Sequence, residues 1–501
     1  MANTPDHYHR PELHITAEEG VLFAPAGVLL DGNTWHVFHQ YRPSPELGPR
    51  WAHQFAERTP FVWDICDDVL APEGDETQVR AGSVVAREDG VDLYFTSVVD
   101  SSSTIQVAHI NDIRATIELV NEDALELDPE VVRIGEVVGD IDGYQKFRSP
   151  CVIPGWENHS NRDEGHQGWL MLAVCGPVDA PQVIVLDSED CRQWNLKGQL
   201  TFSGLSGLAK DQVLVAPRMI RLRDEVDHEI YDVVIVTIEQ DGIDVSGYLV
   251  GQLNGTVFEV TTPFTRIDFG HDFSRPRNTN YTEDTISEGD RYEAAHIFGL
   301  MNGVGRLDSP TEHLSWIKEG WANVISVPRV VTLQDGTLFQ TPPEGLLDAI
   351  HESEAAAGWT ALCEITAGSS VEVALLDQAG EIAATIAHHH NQLVIDRSMN
   401  PNHAGDPMAI APLTDDDTDS LFIIVDGSTV EVFADGGYVS MASRVYFDNG
   451  PLQKFDISTA GEAKIIRQEN HFPDDFSSVE LDIEDIYDFK DIDEPDEGPV
   501  R

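Results

Sequence analysis

Lysine is scarce in this chain for its size. Only Lys146, Lys197, Lys210, Lys318, Lys454, Lys464 and Lys490 occur in 501 residues, so most of the 31 basic side chains are arginine. Set against 88 acidic residues, they leave a net charge of −57. That sign opposes nucleic acid and anionic membrane surfaces as partners, since both present negative phosphates. No stretch approaches the roughly 18 consecutive apolar residues of a membrane helix. The polar N-terminus (MANTPDHYHRPELH) has none of the basic-then-apolar order of a secretory signal, so a cytoplasmic location is expected. Cysteine is also sparse. Cys66, Cys151, Cys175, Cys191 and Cys363 are odd in number and form no CxxC pair, which argues against a zinc site and a disulfide framework. Reduced, buried thiols are expected, with no metal and no cofactor. An acid-rich, lysine-poor composition suits a high-salt medium, although arginine-rich codon usage in an acidic proteome gives the same pattern.

Long helical periodicity is nearly absent, whereas short β-branched runs bounded by turn residues fill the chain. Examples are TWHVFHQY (34–41), VDLYFTSVV (91–99), GWLMLAVCG (168–176) and IYDVVIVTI (230–238). The class is all-β. Many short strands over more than 300 residues fit a radially repeated sheet, a propeller, better than one sandwich. The segment PPEGLLDAIHESEAAAG (342–358) is the one strong helix signal and reads as a linker. Alternating strands then resume over 359–470, as in a β-sandwich, and an acidic stretch at 471–501 reads as a solvated tail. His388, His389 and His390 alternate faces if they lie on a strand, so they read as a solvated run and not as metal ligands.

Several blocks in order resemble glycoside hydrolase family 32, the β-fructofuranosidases, invertases and sucrose-6-phosphate hydrolases. VLFAPAG (21–27) followed by HVFHQY (36–41) looks like the family's Trp-Met-Asn-Asp-Pro-Asn-Gly motif and the strand after it. RWAH (50–53), LAP (70–72), RAGS (80–83), FRSP (147–150), LVAP (214–217), DFGHDF (268–273) and GWANVISVPR (320–329) match later blocks. VDGSTVEVF (425–433) and SRVY (443–446) match the second domain. The resemblance spans about 10–447. It implies a five-bladed β-propeller over 1–341, then a C-terminal β-sandwich.

The same resemblance implies a retaining site, in which one carboxylate attacks and a second carboxyl protonates the leaving group about 5–5.5 Å away. The nucleophile position is Ala24 here, the transition-state stabiliser position Ser149 and the acid/base position Val215. Alanine offers no nucleophile and valine no proton, and a serine attacks only when a base activates it. Gln40, Trp51, Ser83, Arg148 and Asp272 stand where the family contacts or shapes the sugar. Polar donors with an aromatic wall suit a small hydroxyl-rich ligand such as sucrose, sucrose 6-phosphate or a fructan. Trp51 as core and Asp272 as a turn cap are the structural alternatives. Two functional readings follow: a catalytically impaired sugar-binding homologue, or an active glycosidase using relocated carboxylates, for which Asp67, Asp68, Asp140, Asp142 and Asp211 are candidates.

Overall fold

A computed structural model describes residues 8–117, 119–120, 124–141, 143–155, 166–240, 243–302, 312–414 and 419–474. Its strands form five sheets in succession, then two more. Blade 1 comprises Gly20–Asp31, Thr34–Arg42, Arg50–Glu57 and Asp64–Ile65; blade 2 comprises Gln78–Arg87, Gly90–Val99, Ser102–Ile110 and Val131–Val138. Blade 3 comprises Arg148–Pro154, Trp169–Cys175, Gln182–Ser188 and Asn195–Gln199. Blade 4 comprises Leu214–Arg223, Ile230–Gln240, Ile243–Asn254 and Val257–Arg266, with the short Thr201–Ser203 on its edge. Blade 5 is built on Ser274–Tyr281, Ala295–Met301, Arg329–Gln334 and Thr337–Thr341. The first strand of each blade touches the first strand of the next. The ring closes where Ser274–Tyr281 pairs in parallel with Gly20–Asp31, Val28 opposite Thr279.

The apolar runs now have a reason. A blade is covered on both faces, so successive residues of one strand serve opposite clusters. Met171, Ala173 and Cys175 pack toward blade 2 beside Tyr94 and Val107, while Leu172 and Val174 pack toward blade 4 beside Met219 and Val234. Clusters of the same kind fill the other gaps: Leu29, Phe38, Val84 and Phe95 between blades 1 and 2, Ile220, Ile235, Ile297 and Val331 between blades 4 and 5, and Val28, Val37 and Phe298 between blades 5 and 1. Strands buried on both sides read as continuous hydrophobic segments rather than alternating ones.

The two remaining sheets stack as a sandwich around Trp359, Val373, Ile386, Ile423, Val432 and Met441. The linker helix is shorter than its sequence signal, Leu346–Glu352. Gly345 begins it at φ +87°, and the Ser353 hydroxyl ends it by donating to the Ile350 carbonyl. Its Leu346 and Ile350 are wedged between Phe61 of the propeller and Ile424 of the sandwich, so it packs the two domains as well as joining them. A further short helix, Leu314–Glu319, has no counterpart in the sequence reading. All five cysteines are buried free thiols. The histidine run is not a solvated patch: His388 is buried, with Nε2 2.9 Å from the Asp435 carboxylate. Its alternation of faces turns that ring inward. Most of the acidic stretch expected over 471–501 lies outside the described residues. No helix among those described is long and apolar enough to cross a membrane.

A buried ionic network joins the domains. Arg329 contacts Glu431 at 2.7 Å and Asp268 at 2.8 Å; His14 contacts Asp426 at 2.7 Å and Glu431 at 3.1 Å. All five side chains are essentially without solvent contact. Asp426 also accepts the backbone N–H groups of Glu12 and Leu13, which fixes the chain's entry against the sandwich.

Candidate active site at the propeller axis

The head of each inner strand carries an irregularity in the same place. In blade 2, Arg80 pairs with Thr96 and Ser83 with Tyr94, leaving Ala81-Gly82 opposite one residue. In blade 3 the pairs are Arg148–Val174 and Cys151–Leu172, around Ser149-Pro150. In blade 4 they are Val215–Thr237 and Arg218–Ile235, around Ala216-Pro217. In blade 5 they are Ser274–Leu300 and Arg277–Phe298, around Arg275-Pro276. Blade 1 has a shift on each side of Ala24-Pro25. These are β-bulges, two residues against one, which bend a strand and re-aim its side chains. Proline suits the second bulge position because it gives up no ladder hydrogen bond. Ser149, Ala216 and Arg275 take left-handed φ of 53°, 48° and 48°, sparsely populated for residues with a Cβ and a recurrent feature of functional sites. In blade 2 glycine is required, since a Cβ on Gly82 would meet the Tyr94 carbonyl oxygen at 1.9 Å.

The bulges are stitched to one another. Gln40 Oε1 accepts Ala81 N–H at 2.8 Å, Thr96 Oγ1 accepts Ser149 N–H at 3.0 Å, and Ser83 Oγ accepts Val152 N–H at 3.2 Å. Arg218 donates to the carbonyls of Pro150 and Gly82, both at 3.1 Å, and of Pro217 at 2.6 Å. Ala24, Gln40 and Trp51 form one cross-strand row in blade 1, and residues so paired share a sheet face. Gln40, Ser83 and Ser149 are thus tied into hydrogen bonds between neighbouring bulges of the axial collar, while Ala24 pairs with Gln40, Arg148 precedes the blade 3 bulge and Val215 precedes the blade 4 bulge.

Two expected sugar contacts lie elsewhere. Trp51 is fully buried, packed with Val69, Leu70, Ala81 and Phe95 between blades 1 and 2. It lies under the collar and forms no exposed wall, because its strand is covered by blade 2. Asp272 is at the domain interface: it accepts Arg444 N–H at 2.8 Å, with Arg397 3.7 Å away. Its loop runs beneath the sandwich, and burial there raises its carboxyl to about 6 against the pull of Arg397 and Arg444.

The relocated carboxylates do not converge on the collar. Asp68 pairs with Arg50 and accepts from Tyr41 Oη at 2.9 Å, and Asp67 accepts Val120 N–H at 3.0 Å, both on the outer part of blade 1. Asp140 accepts Lys146 N–H at 3.2 Å, and Asp142 lies outside the described residues. Asp211 lies four residues before Val215. With Asp179, Gln212 and Glu239 it lines an open cavity of about 630 Å³ beside the start of the blade 4 inner strand.

Apart from Arg148, the charge at the axis was missed by the sequence reading. Arg80 and Arg148 occupy the same place in adjacent blades, one residue before the bulge, and Arg218 and Arg277 occupy the same place one residue after it. Arg148 donates to the carbonyls of Gly176 at 2.6 Å and Lys146 at 3.0 Å; Arg80 donates to Gln78 Oε1 at 2.7 Å. Arg277 donates to the Arg275 carbonyl at 3.0 Å. None of the four contacts a carboxylate among the described residues. Burial lowers all four guanidinium pKa values, and repulsion from Arg80 adds to the shift at Arg148. A signal was present: a small residue or arginine before proline at Ala24-Pro25, Ser149-Pro150, Ala216-Pro217 and Arg275-Pro276 marks four of the five bulges, with arginine directly after the last two prolines.

Propeller, sandwich and axial collar together define the architecture of a β-fructosidase-type glycosidase. The sequence matches the N-terminal domain of glycosyl hydrolases family 32 over residues 14–342 and the C-terminal domain of that family over 344–470. The chain belongs to glycoside hydrolase family 32. It is 23% identical to a sucrose-6-phosphate hydrolase of Vibrio alginolyticus over 482 residues, covering 91% of this chain and 90% of the relative. To an invertase of Wickerhamomyces anomalus it is 25% identical over 302 residues, spanning 56% of this chain and about half, 51%, of that protein. A Bombyx mori GH32 beta-fructofuranosidase mutant in complex with sucrose shares the fold with a TM-score of 0.70 at 18% identity, over 93% of this chain and 94% of that one.

Proposed function

We propose that this chain is a sugar-binding family member that does not hydrolyse β-fructosides: a propeller over 1–341 and a sandwich over 359–470, joined by the 342–358 segment. The observation that carries this reading is the collar itself. Ala24, Ser149 and Val215 stand at or beside the bulges of three inner strands, and none supplies a carboxylate. Retaining chemistry needs two carboxyl groups at close range. Residues acting as one catalytic unit fail together, at a cost on the order of 10⁶ in rate, or about 8 kcal/mol of barrier. Gln40, Ser83 and Arg148 keep polar groups in the collar to orient a hydroxylated ligand. The relatives named for sucrose and sucrose 6-phosphate supply the ligand class. The test is release of fructose from sucrose, sucrose 6-phosphate and inulin, with calorimetry of the same sample against fructose, sucrose and short fructans. Binding without turnover is expected; turnover near 1 s⁻¹, ordinary for an enzyme, overturns the reading.

The cavity lined by Asp211 and Glu239 favours a second reading, in which those carboxylates serve a displaced reaction centre. Both are exposed on the loop-side rim, whereas a general acid is usually held protonated by a dry environment. If fructose release is found and is abolished by Asp211→Asn with Glu239→Gln, this second reading holds.

A further inference from the structure

We infer that the axial collar takes an anionic ligand: a small hydroxylated molecule bearing a carboxylate or phosphate group, held by Arg80 and Arg148. This rests on the sugar-binding reading of the same collar and narrows its ligand.

Four arginines surround the axis in a chain with 88 acidic residues and 31 basic ones. In such a chain many guanidiniums meet a carboxylate, as Arg50, Arg87, Arg114, Arg133, Arg192 and Arg275 do. Arg80, Arg148, Arg218 and Arg277 contact only carbonyl or amide oxygens among the described residues. Arg218 and Arg277 are buried, and Nε of each has no hydrogen-bond partner. Buried charge without a counter-charge is costly, and proteins relieve it by pairing. The three positions where the family resemblance places carboxylates are Ala24, Ser149 and Val215, so the protein itself supplies no compensation at the collar. The counter-charge must arrive from outside.

The geometry says which groups receive it. Arg218 and Arg277 are spent on the carbonyls of the bulges and lie one residue inside the strand, where they contribute field and not contact. Arg80 and Arg148 lie one residue outside the bulge, on adjacent inner strands that pack together. Thr96 ties them: it is the cross-strand partner of Arg80, and its hydroxyl accepts the N–H of Ser149, the neighbour of Arg148. Arg80 reaches solvent and Arg148 is half-buried. Each guanidinium has N–H groups left over after its printed bonds, and planar N–H forks match the oxygens of carboxylate and phosphate. The Ser149 hydroxyl, on the residue after Arg148, has no protein partner among the described residues and can serve the same oxygens. Gln40 and Ser83, next to Arg80 through the Ala81 N–H and along the same strand, suit the hydroxyls of the remainder of the molecule. An acidic surface elsewhere repels anions, so the collar is where an anionic metabolite is drawn in.

Calorimetry of the full chain at low and at high KCl tests this with four probes: fructose, gluconate, fructose 6-phosphate and inorganic phosphate. Gluconate or fructose 6-phosphate should bind at least tenfold more tightly than fructose, and that preference should shrink as KCl rises, because salt screens charge. Arg80→Gln, at the solvent-reached end of the pair, should leave the melting temperature near that of the parent and remove most of the preference. Arg148→Lys keeps the charge but loses the fork, and should weaken the anionic probes severalfold. The choice between gluconate and fructose 6-phosphate decides between carboxylate and phosphate. Fructose binding as tightly as either anion, or an unchanged preference in folded Arg80→Gln, overturns the inference and leaves the sugar-binding reading standing. Inorganic phosphate matching fructose 6-phosphate supports the anion site and overturns the sugar-binding reading. No heat from any probe overturns both.

Discussion

Two buried polar regions of this protein are built on opposite charge plans. At the domain interface, Asp268, Asp426 and Glu431 are interleaved with Arg329 and His14, and each of these two cations has two carboxylates within 3.1 Å. At the propeller axis, four guanidiniums meet no carboxylate among the described residues. The comparison separates two uses of buried charge. A closed, mutually satisfied network specifies how two domains dock. An open set of like charges specifies nothing within the protein and is completed by something that comes and goes. Carboxylates are therefore not excluded from the interior of this chain: three of them are buried at the domain interface.

The largest expected effect comes from giving the axis the interface's plan. Ala24→Asp, Ser149→Asp and Val215→Glu together should convert no detectable fructose release into measurable hydrolysis, several decades below a working enzyme because the supporting shell was not shaped to hold those side chains. The same variant should be more stable than the parent at low salt, since the collar arginines gain partners. A folded variant that stays inert means the collar has been reshaped beyond three positions.

Breaking the interface is next. Arg329→Met leaves Glu431 and Asp268 buried without their cation and should cost about 3–5 kcal/mol, the usual result of removing one member of a buried pair. Arg80→Gln should cost well under 1 kcal/mol, as for a solvent-reached group with no ionic partner. Denaturant titration of the two variants reads this directly. Equal losses would erase the distinction between a closed network and an open one.

The interface should also dominate the alkaline limb of stability. Burial pulls the His14 pKa down, but hydrogen bonds to Asp426 and Glu431 outweigh it and hold the ring at about 9. A raised folded-state value gives stability that is complete below the unfolded value of 6.5 and is lost as pH climbs through 9. Burial instead depresses His271 and His403 to about 2 and His39 to about 3. Those groups contribute stability above pH 6.5 that is lost on acidification. Melting temperature should therefore peak near pH 6.5 and fall on both sides, and His14→Gln should flatten the alkaline side alone. A fall between pH 6.5 and 9 that is unchanged in that variant removes His14 as its cause.

The smallest effect is the diffuse one. Excess surface charge opposes the compact state, and the screening length shrinks from about 10 Å at 0.1 M to about 3 Å at 1 M. Melting temperature should rise by several degrees between 0.1 and 2 M KCl. Neither the paired interface nor the apolar core accounts for such a rise, so a flat profile would mean that the surface charge is balanced locally.

The sequence by itself determined the all-β class, the two-domain order and the family. Those are carried by local patterns: double-sided apolar runs, turn residues, and short blocks such as VLFAPAG and FRSP whose order survives in the chain. It also determined that Ala24, Ser149 and Val215 bear no carboxylate, because residue identity needs no coordinates. Only the tertiary structure decided which polar residues belong together. Asp272 and Trp51 looked like sugar contacts in their motifs, yet one is claimed by Arg444 across the domain boundary and the other by the packing between blades 1 and 2. Arg80, Arg148, Arg218 and Arg277, scattered over nearly 200 positions, became one electrostatic unit only when five strands closed into a ring. Coulomb interactions depend on distance in space, and in a ring of blades the residues nearest in space are a whole blade apart in sequence.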